Sequence, residues 1–325
     1  MVQNGSWQWL LEGFNIDLET QLKPRTLKDY CDHVSYFARW AQDNNKSDPR
    51  SITKRDIQGF LHFVASTPAI FVTSNGVERR IQRDENSRWH HYFPLKRFFT
   101  WAVNEGYLEQ NPIDGIALKP VKTAPIEPYN PEHIDAFIKV LDYDWQFATT
   151  TRQKMLAARD RAVLFLFLDS FIRLEECSRL TIGDIDLDRQ RLLIRQSKTG
   201  KPRLAGFGPQ TKKALWRYLG LRGDRLGHDA LWVTEEWHPL TKHGVQEIMR
   251  RLKRNAGLQH VKGSIHKLRH TGATIALKHT RDIKGLRLLL GHATLAMTER
   301  YTQFIEAEDA LKTYDGQGPL DWVKG

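Results

Sequence analysis

The stretch that most restricts this chain is Lys119 to Pro131 (KPVKTAPIEPYNP), which holds Pro120, Pro125, Pro128 and Pro131. Proline lacks a backbone N–H and fixes φ, so neither a helix nor an inner strand runs through such a segment. It reads as an extended linker that divides the 325 residues into two parts, each long enough to fold by itself. The expected boundaries are residues 1–118 for the first domain, 119–130 for the linker and 131–325 for the second domain. Asn130 is placed to cap the next helix and Pro131 to occupy its first turn.

Residues 1–118 read as mostly helical. In Thr26 to Gln42, the apolar residues Leu27, Tyr30, Val34, Phe37 and Trp40 recur at helical spacing. Asp56 to Ala65 forms a second amphipathic helix. Ser87 to Asn104 forms a third, with Pro94 marking a kink or a break. Between the last two, Ala69 to Arg83 carries Asn75-Gly76 flanked by Ile70, Phe71, Val72 and Val77, a two-residue hairpin signal. Its arginines Arg79, Arg80 and Arg83, with Lys96 and Arg97 further on, are either phosphate contacts or solvated surface.

The second domain opens differently. Ala157 to Ile172 is too apolar for a surface helix and is expected to be buried. Alternation at Ile185 and Leu187, then Leu192 to Ile194, then Leu204 to Phe207 predicts a three-stranded antiparallel sheet. Lys198 to Lys201 falls at its turn. Helices follow, one capped by Asp282 and ended by Gly291. The fold class is mainly α with a small antiparallel β-sheet (α+β).

Lys+Arg is 49 against Asp+Glu 38, a net charge of +11, which favours a polyanionic partner such as nucleic acid. Cys31 and Cys177 form neither a disulfide framework nor a zinc pattern. The N-terminus lacks a signal-peptide pattern, and no apolar run approaches the ~18 residues of a membrane span. A soluble cytoplasmic protein is expected.

Four short motifs carry chemistry: Ile172-Arg173-Leu174-Glu175-Glu176, Ser197-Lys198-Thr199-Gly200-Lys201, His266-Lys267-Leu268-Arg269-His270, and Leu290-Gly291-His292 with Tyr301 following. A phosphodiester is cleaved without a metal by a nucleophile, cations on the non-bridging oxygens and a proton for the leaving oxygen. Arginine suits the second task, because its planar fork meets two oxygens and stays charged. Arg173 and Arg269 are the candidates. His266 and Arg269 are three apart on one helix, with Ser264 as its expected N-cap. Tyr301 is the candidate nucleophile, in need of activation because a phenol titrates near ~10. His266 and His270 mimic the H-x-x-x-H of zinc proteases, but Lys267 stands where glutamate is required, so no metal is expected. The lysine segment lacks P-loop spacing. Lys198, at the turn, is either a solvated lysine or one whose ammonium reaches a cleft, and Lys201 is its nearby rival.

Taken together, the order Arg173, Lys198, His266, Arg269, His292, Tyr301 resembles the tyrosine recombinase (phage integrase) family. The resemblance spans nearly the whole chain. It implies a helical core-binding domain and a catalytic domain clamped around double-stranded DNA, with no cofactor. It implies that Tyr301 attacks a specific DNA site to form a 3′-phosphotyrosyl link, with strands exchanged through a Holliday junction in a tetramer. Lys198 would protonate the 5′ oxygen, His266 would serve as acid/base, His292 would support it, and Glu176 would orient the cluster. The tail after Tyr301 would dock on a neighbouring subunit. Ser170-Phe171-Ile172 departs from the Thr-Gly that usually opens the arginine box. Two other readings share the motifs: a type IB topoisomerase-like nicking enzyme, and a DNA-binding regulator with an inactive site.

Overall fold

The computed structural model describes residues 6–72, 76, 78–83, 86–119, 127–195, 202–223, 227–291, 294–299 and 301–302. They divide into two compact units, Met1–Thr123 and Ala124–Gly325.

The first unit is built on aromatic rings. Its helices are α1 (Trp7–Glu19), α2 (Pro24–Asp43), α3 (Lys54–Ser66) and, after a two-stranded ribbon of β1 (Ala69–Val72) and β2 (Glu78–Ile81), α4 (Asn86–Asn104). Helix α1 has no counterpart in the expectations. Ser6 caps it, and Trp7, Leu10, Phe14 and Leu18 form its buried face. Pro24 starts α2 at its first turn. Thr53 and Asp56 close a capping box on α3. Pro94 neither breaks nor ends α4, which runs through it, and the residue is buried. The Phe37 ring meets those of Trp7, Phe60 and Phe99 with centroids 5.6, 5.0 and 5.8 Å away. Such pairs add about 0.5–1.5 kcal/mol each beyond the area they bury.

The ribbon corrects one expectation. A two-residue turn at Asn75-Gly76 would place Val72 opposite Arg79. The observed partner of Val72 is Glu78, so the connection has an odd number of residues.

The second unit contains α5 (Pro131–Gln146), α6 (Thr151–Ser170), α7 (Leu174–Ser178), β3 (Ile185–Asp186), β4 (Arg191–Ile194), β5 (Arg203–Gly206), α8 (Pro209–Arg222), α9 (Lys242–Asn255), α10 (His266–Thr280), α11 (Ile283–Leu290) and α12 (Ala296–Glu299). Asn130 caps α5 by accepting from the His133 N–H, and Pro131 occupies its first turn. Helix α6 is the buried centre, as its apolar sequence requires; Ala162, Val163, Leu164, Leu166 and Phe167 are almost wholly covered. It packs on α8 and α10. At the α10 crossing the backbones touch: a Cβ on Gly272 would lie 1.9 Å from the Leu168 carbonyl oxygen. Strands β3, β4 and β5 form an antiparallel sheet in sequence order, with Ile194 opposite Arg203. Leu192 and Ile194 alternate inward along β4. Among the described residues no helix is long and apolar enough to cross a membrane.

Candidate active site

The end of α6 sets the position of the first arginine. The helix stops at Phe171, a non-glycine residue in the left-handed region (φ 51°). A side chain there costs roughly 1–2 kcal/mol. Two contacts offset that cost. The Phe171 ring is buried, in a small cluster with Ala273, Leu277, Leu286, Leu290 and Tyr301. Its carbonyl accepts from Arg269 Nη1.

Arg173 then occupies the N-cap position of α7, and Glu176 sits one turn into that helix. Glu176 Oε2 accepts from the Arg173 backbone N–H at 2.9 Å, and Oε1 accepts from Arg173 Nη1 at 2.8 Å. Glu176 is buried, at 5 % exposure, so the pair is not a surface ion pair. Burial raises its pKa, but Arg203 and then Arg173 outweigh this and hold it below the usual carboxylate range.

Arg269 comes from the first turn of α10. His266 begins that helix. Ser264 does not cap it; Ile265 occupies the cap position with no side-chain bond, and the Ser264 carbonyl accepts from the Lys267 N–H. Arg269 is 5 % exposed. Its Nη2 donates to the Leu290 carbonyl at 2.8 Å, and Arg173 Nη2 donates to the same oxygen at 3.2 Å and to that of Gly291 at 3.3 Å. Two guanidinium groups from distant motifs therefore share the C-terminal end of α11. That end is negatively polarised and leaves carbonyls free for cations. Gly291, in the left-handed conformation, closes the helix as its position predicts, and Asp282 caps the other end. Burial lowers the Arg269 pKa to about 10, as does Arg173, while Tyr301 opposes the shift. At neutral pH the group stays charged.

Tyr301 is 2 % exposed. Its ring lies against that of His270, with centroids 5.4 Å apart and planes at 38°. No task is assigned to His270 from the sequence, and its contact with Tyr301 joins helix α10 to the turn that follows α12. His266 presents surface to solvent. Crowding around its ring lowers its pKa, helped by the Arg269 and Arg173 charges and opposed by Glu175. A neutral imidazole can accept a proton.

Beside His266 lies a cleft of about 1700 Å³, lined in part by His133, His260, Lys262, Lys267 and Lys278. Lys267 Nζ sits 4.7 Å from the centre of the Tyr129 ring, a cation–π contact. The Tyr129 N–H donates to Thr271 Oγ1 at 2.8 Å, fixing the start of the unit on α10.

Lys198, Lys201 and His292 lie outside the described residues. Lys198 and Lys201 fall in the connection between β4 and β5. Arg80 and Lys96 are exposed. The Arg79 backbone is paired in β2, and its side chain is outside the description. Arg97 is engaged within its own unit, donating to Gln21 Oε1 at 2.7 Å and lying 5.9 Å from the Tyr30 ring centre. Arg203, which the sequence did not mark, donates from Nη2 to Glu176 Oε2 at 2.8 Å. Among the described residues, no group of three or more His, Cys, Asp or Glu side chains is placed to hold a metal ion.

Known proteins are similar to this chain in sequence and in fold. Residues 137–308, more than half of the chain, match the phage integrase family. Tyrosine recombinase XerC of Chromohalobacter salexigens is 29 % identical over 312 residues, which is 95 % of each chain. XerC of Listeria monocytogenes serotype 4a is 30 % identical over 225 residues, 68 % of this chain and 71 % of that one. The crystal structure of XerH site-specific recombinase bound to palindromic difH substrate shares the fold, with TM-score 0.68, 19 % identity, and coverage of 97 % of this chain and 85 % of that one. The chain belongs to the phage integrase family, the site-specific tyrosine recombinases that break and rejoin DNA strands.

Proposed function

We propose that Tyr301 is the nucleophile of this recombinase and that Arg173 and Arg269 hold the scissile phosphate of double-stranded DNA. The Tyr301 oxygen bonds to phosphorus, the bond to the 5′ oxygen breaks, and a 3′-phosphotyrosyl link and a free 5′ hydroxyl remain. His266 takes the phenol proton and hydrogen-bonds the phosphate, with His292 in support. Lys198 gives the leaving 5′ oxygen its proton; Lys201 is its rival for that task. Attack by a partner strand's 5′ hydroxyl reverses the step and passes the strand on, through a Holliday junction in a tetramer. Glu176 orients Arg173. Residues 1–118 act as the core-binding domain, with Arg79, Arg80, Lys96 and Arg97 on the DNA backbone, and the tail after Tyr301 joins subunits.

The observation that supports this reading most is the convergence of Arg173 and Arg269 on the Leu290 carbonyl, with Tyr301 in the cluster that Leu290 helps to form. Arg173 and Arg203 pair with the one carboxylate of Glu176, and Arg269 adds a third guanidinium nearby, leaving a positive surplus suited to a phosphate and a phenolate. Pre-aimed donors of this kind are worth about 3–4 kcal/mol each in a site shielded from water.

A trapping assay on nicked suicide substrates tests it. The unaltered chain is expected to give a covalent protein–DNA band on a denaturing gel, and Tyr301→Phe none. Tight binding of the specific DNA without any band would overturn the assignment and favour an inactive DNA-binding regulator. DNA affinity is expected to fall by roughly 10³–10⁵ between about 50 and 200 mM salt if six to ten phosphates are contacted.

A further inference from the structure

Arg203 has no task in the reaction just described, yet it is bound to two of the parts that hold Arg173. It opens β5, and its side chain is 10 % exposed. A guanidinium so far from water needs acceptors around it. Nη2 finds Glu176 Oε2 at 2.8 Å, the same oxygen that takes the Arg173 backbone N–H. Nη1 finds the Leu289 carbonyl at 2.6 Å, one residue before the carbonyl that Arg173 and Arg269 share. The side chain passes directly under the end of α11: a Cβ on Gly291 would lie 2.9 Å from Arg203 Cδ. One planar fork thus joins strand β5, helix α7 and the C-terminus of α11.

We propose that Arg203 is a positioning residue for strand cleavage: by sharing the Glu176 carboxylate and gripping the Leu289 carbonyl, it fixes the Arg173 guanidinium in place and keeps it from being neutralised. The inference rests on the recombinase reading of Arg173 given above. The electrostatics follow from the geometry. A lone Glu176 would give its whole charge to Arg173 and pull it inward. Shared between two arginines, it anchors Arg173 while a surplus positive charge stays on the site. Lysine could not substitute fully, because a single ammonium lacks the fork that spans acceptors on two elements. Arg203 also follows directly on the segment that carries Lys198 and Lys201, so the strand leaving that segment is fastened to the arginine pair.

The charged groups acting on Glu176 are Arg203 on β5 and Arg173 before α7, and Glu176 in turn acts on Arg269 of α10. With Arg203 gone, burial dominates and Glu176 takes up a proton at higher pH. Two measurements test the proposal. In the DNA-free full chain, carboxyl carbon NMR follows the Glu176 titration, with its signal identified by Glu176→Gln. Arg203→Met is expected to move that titration to higher pH, and Arg203→Lys to leave it low. On suicide substrates, Arg203→Met is expected to slow covalent-complex formation by about 100-fold, as a displaced catalytic group does. The acid limb of its rate should shift upward with Glu176. Arg203→Lys should recover part of the rate, which also covers the case in which Arg203→Met fails to fold.

An unmoved Glu176 titration in Arg203→Met overturns the proposal. So does cleavage within about threefold of the unaltered chain, or a loss of rate with the acid limb unmoved, which would mark Arg203 as structural only. No adduct from the unaltered chain would defeat the assignment of Tyr301 instead, and the NMR measurement, which needs no DNA, would still decide whether Arg203 governs Glu176.

Discussion

In the N-terminal unit, His33 and His91 face each other with their Nδ1 atoms 3.1 Å apart. In the C-terminal unit, Arg173, Arg203 and Arg269 crowd around Glu176 and the end of α11. Both are clusters of basic groups withdrawn from water, and burial acts on both in the same direction, against the charged form. The outcomes differ. The His91 pKa falls to about 3, because burial is joined by the charges of His33, Arg83 and His90. Its other neighbours are the rings of Tyr36 and Phe60. That pair is held together by one shared proton and by packing. The arginines keep their protons because their intrinsic affinity is far higher and because carbonyls and a carboxylate meet them. A buried base thus survives as a cation only where acceptors are built around it.

The largest expected effect attacks the arginine side of this contrast. Arg173→Ala should lower the single-turnover cleavage rate by about 10²–10³-fold, the usual loss for one preorganised donor. Circular dichroism should stay that of the folded chain. A rate within about threefold of the unaltered protein would remove Arg173 from the site.

The histidine side should appear in stability against pH. His91 has a folded pKa below its unfolded value, so the unfolded chain binds the proton first. Its contribution is complete above about pH 6.5 and is lost as pH falls toward about 3, by an amount on the order of a few kcal/mol. Denaturant titrations of the full chain at about pH 7 and about pH 5 measure the early part of that loss. His91→Phe should reduce the difference between the two; an unchanged difference would place the acid sensitivity elsewhere.

Phe171→Gly sets two effects against each other. Relief of the left-handed backbone returns about 1–2 kcal/mol, and removal of a buried ring costs about 3–5 kcal/mol. A net loss of about 2 kcal/mol is expected in thermal melts, and a gain would show that the ring contributes little. The smallest effect belongs to the exposed pair of Arg250 and Glu247, whose side chains are 65 % and 57 % exposed. Arg250→Ala should change stability by less than about 1 kcal/mol, since solvent already screens that pair.

Much of the architecture could be read from local pattern. Helices α2, α3, α4 and α6 followed from spacing or apolar runs, and the sheet of β3, β4 and β5 from alternation. Helix α1 carries the same kind of signal in its regular buried face, Trp7, Leu10, Phe14 and Leu18. The register of β1 and β2 was not legible, because a turn dipeptide marks where a chain reverses, not which residues then pair. Arg173, His266, Arg269 and Tyr301 were visible because they lie in ordered short motifs. Arg203 was not. Its partners are 27 and 86 positions away, and nothing in Lys201-Pro202-Arg203-Leu204 separates a buried bridge from a solvated strand end. His270 was hidden in the same way, since its contact is made with a ring from beyond α11.

Gly272 follows Arg269 by three residues on α10, and it is the point where that helix lies against the backbone of α6 just before the turn to Arg173. The distance between the two helices at that level is therefore set by a hydrogen atom. Elsewhere in the core a gain or loss of one methyl group can be absorbed by a neighbouring side chain changing rotamer. At Gly272 the opposing surface is a peptide carbonyl, which has no rotamer to change. The gauge between the two guanidinium groups is in this sense written as a missing atom. Even alanine at that position would act as a wedge, spreading the arginines by moving the two rods that carry them.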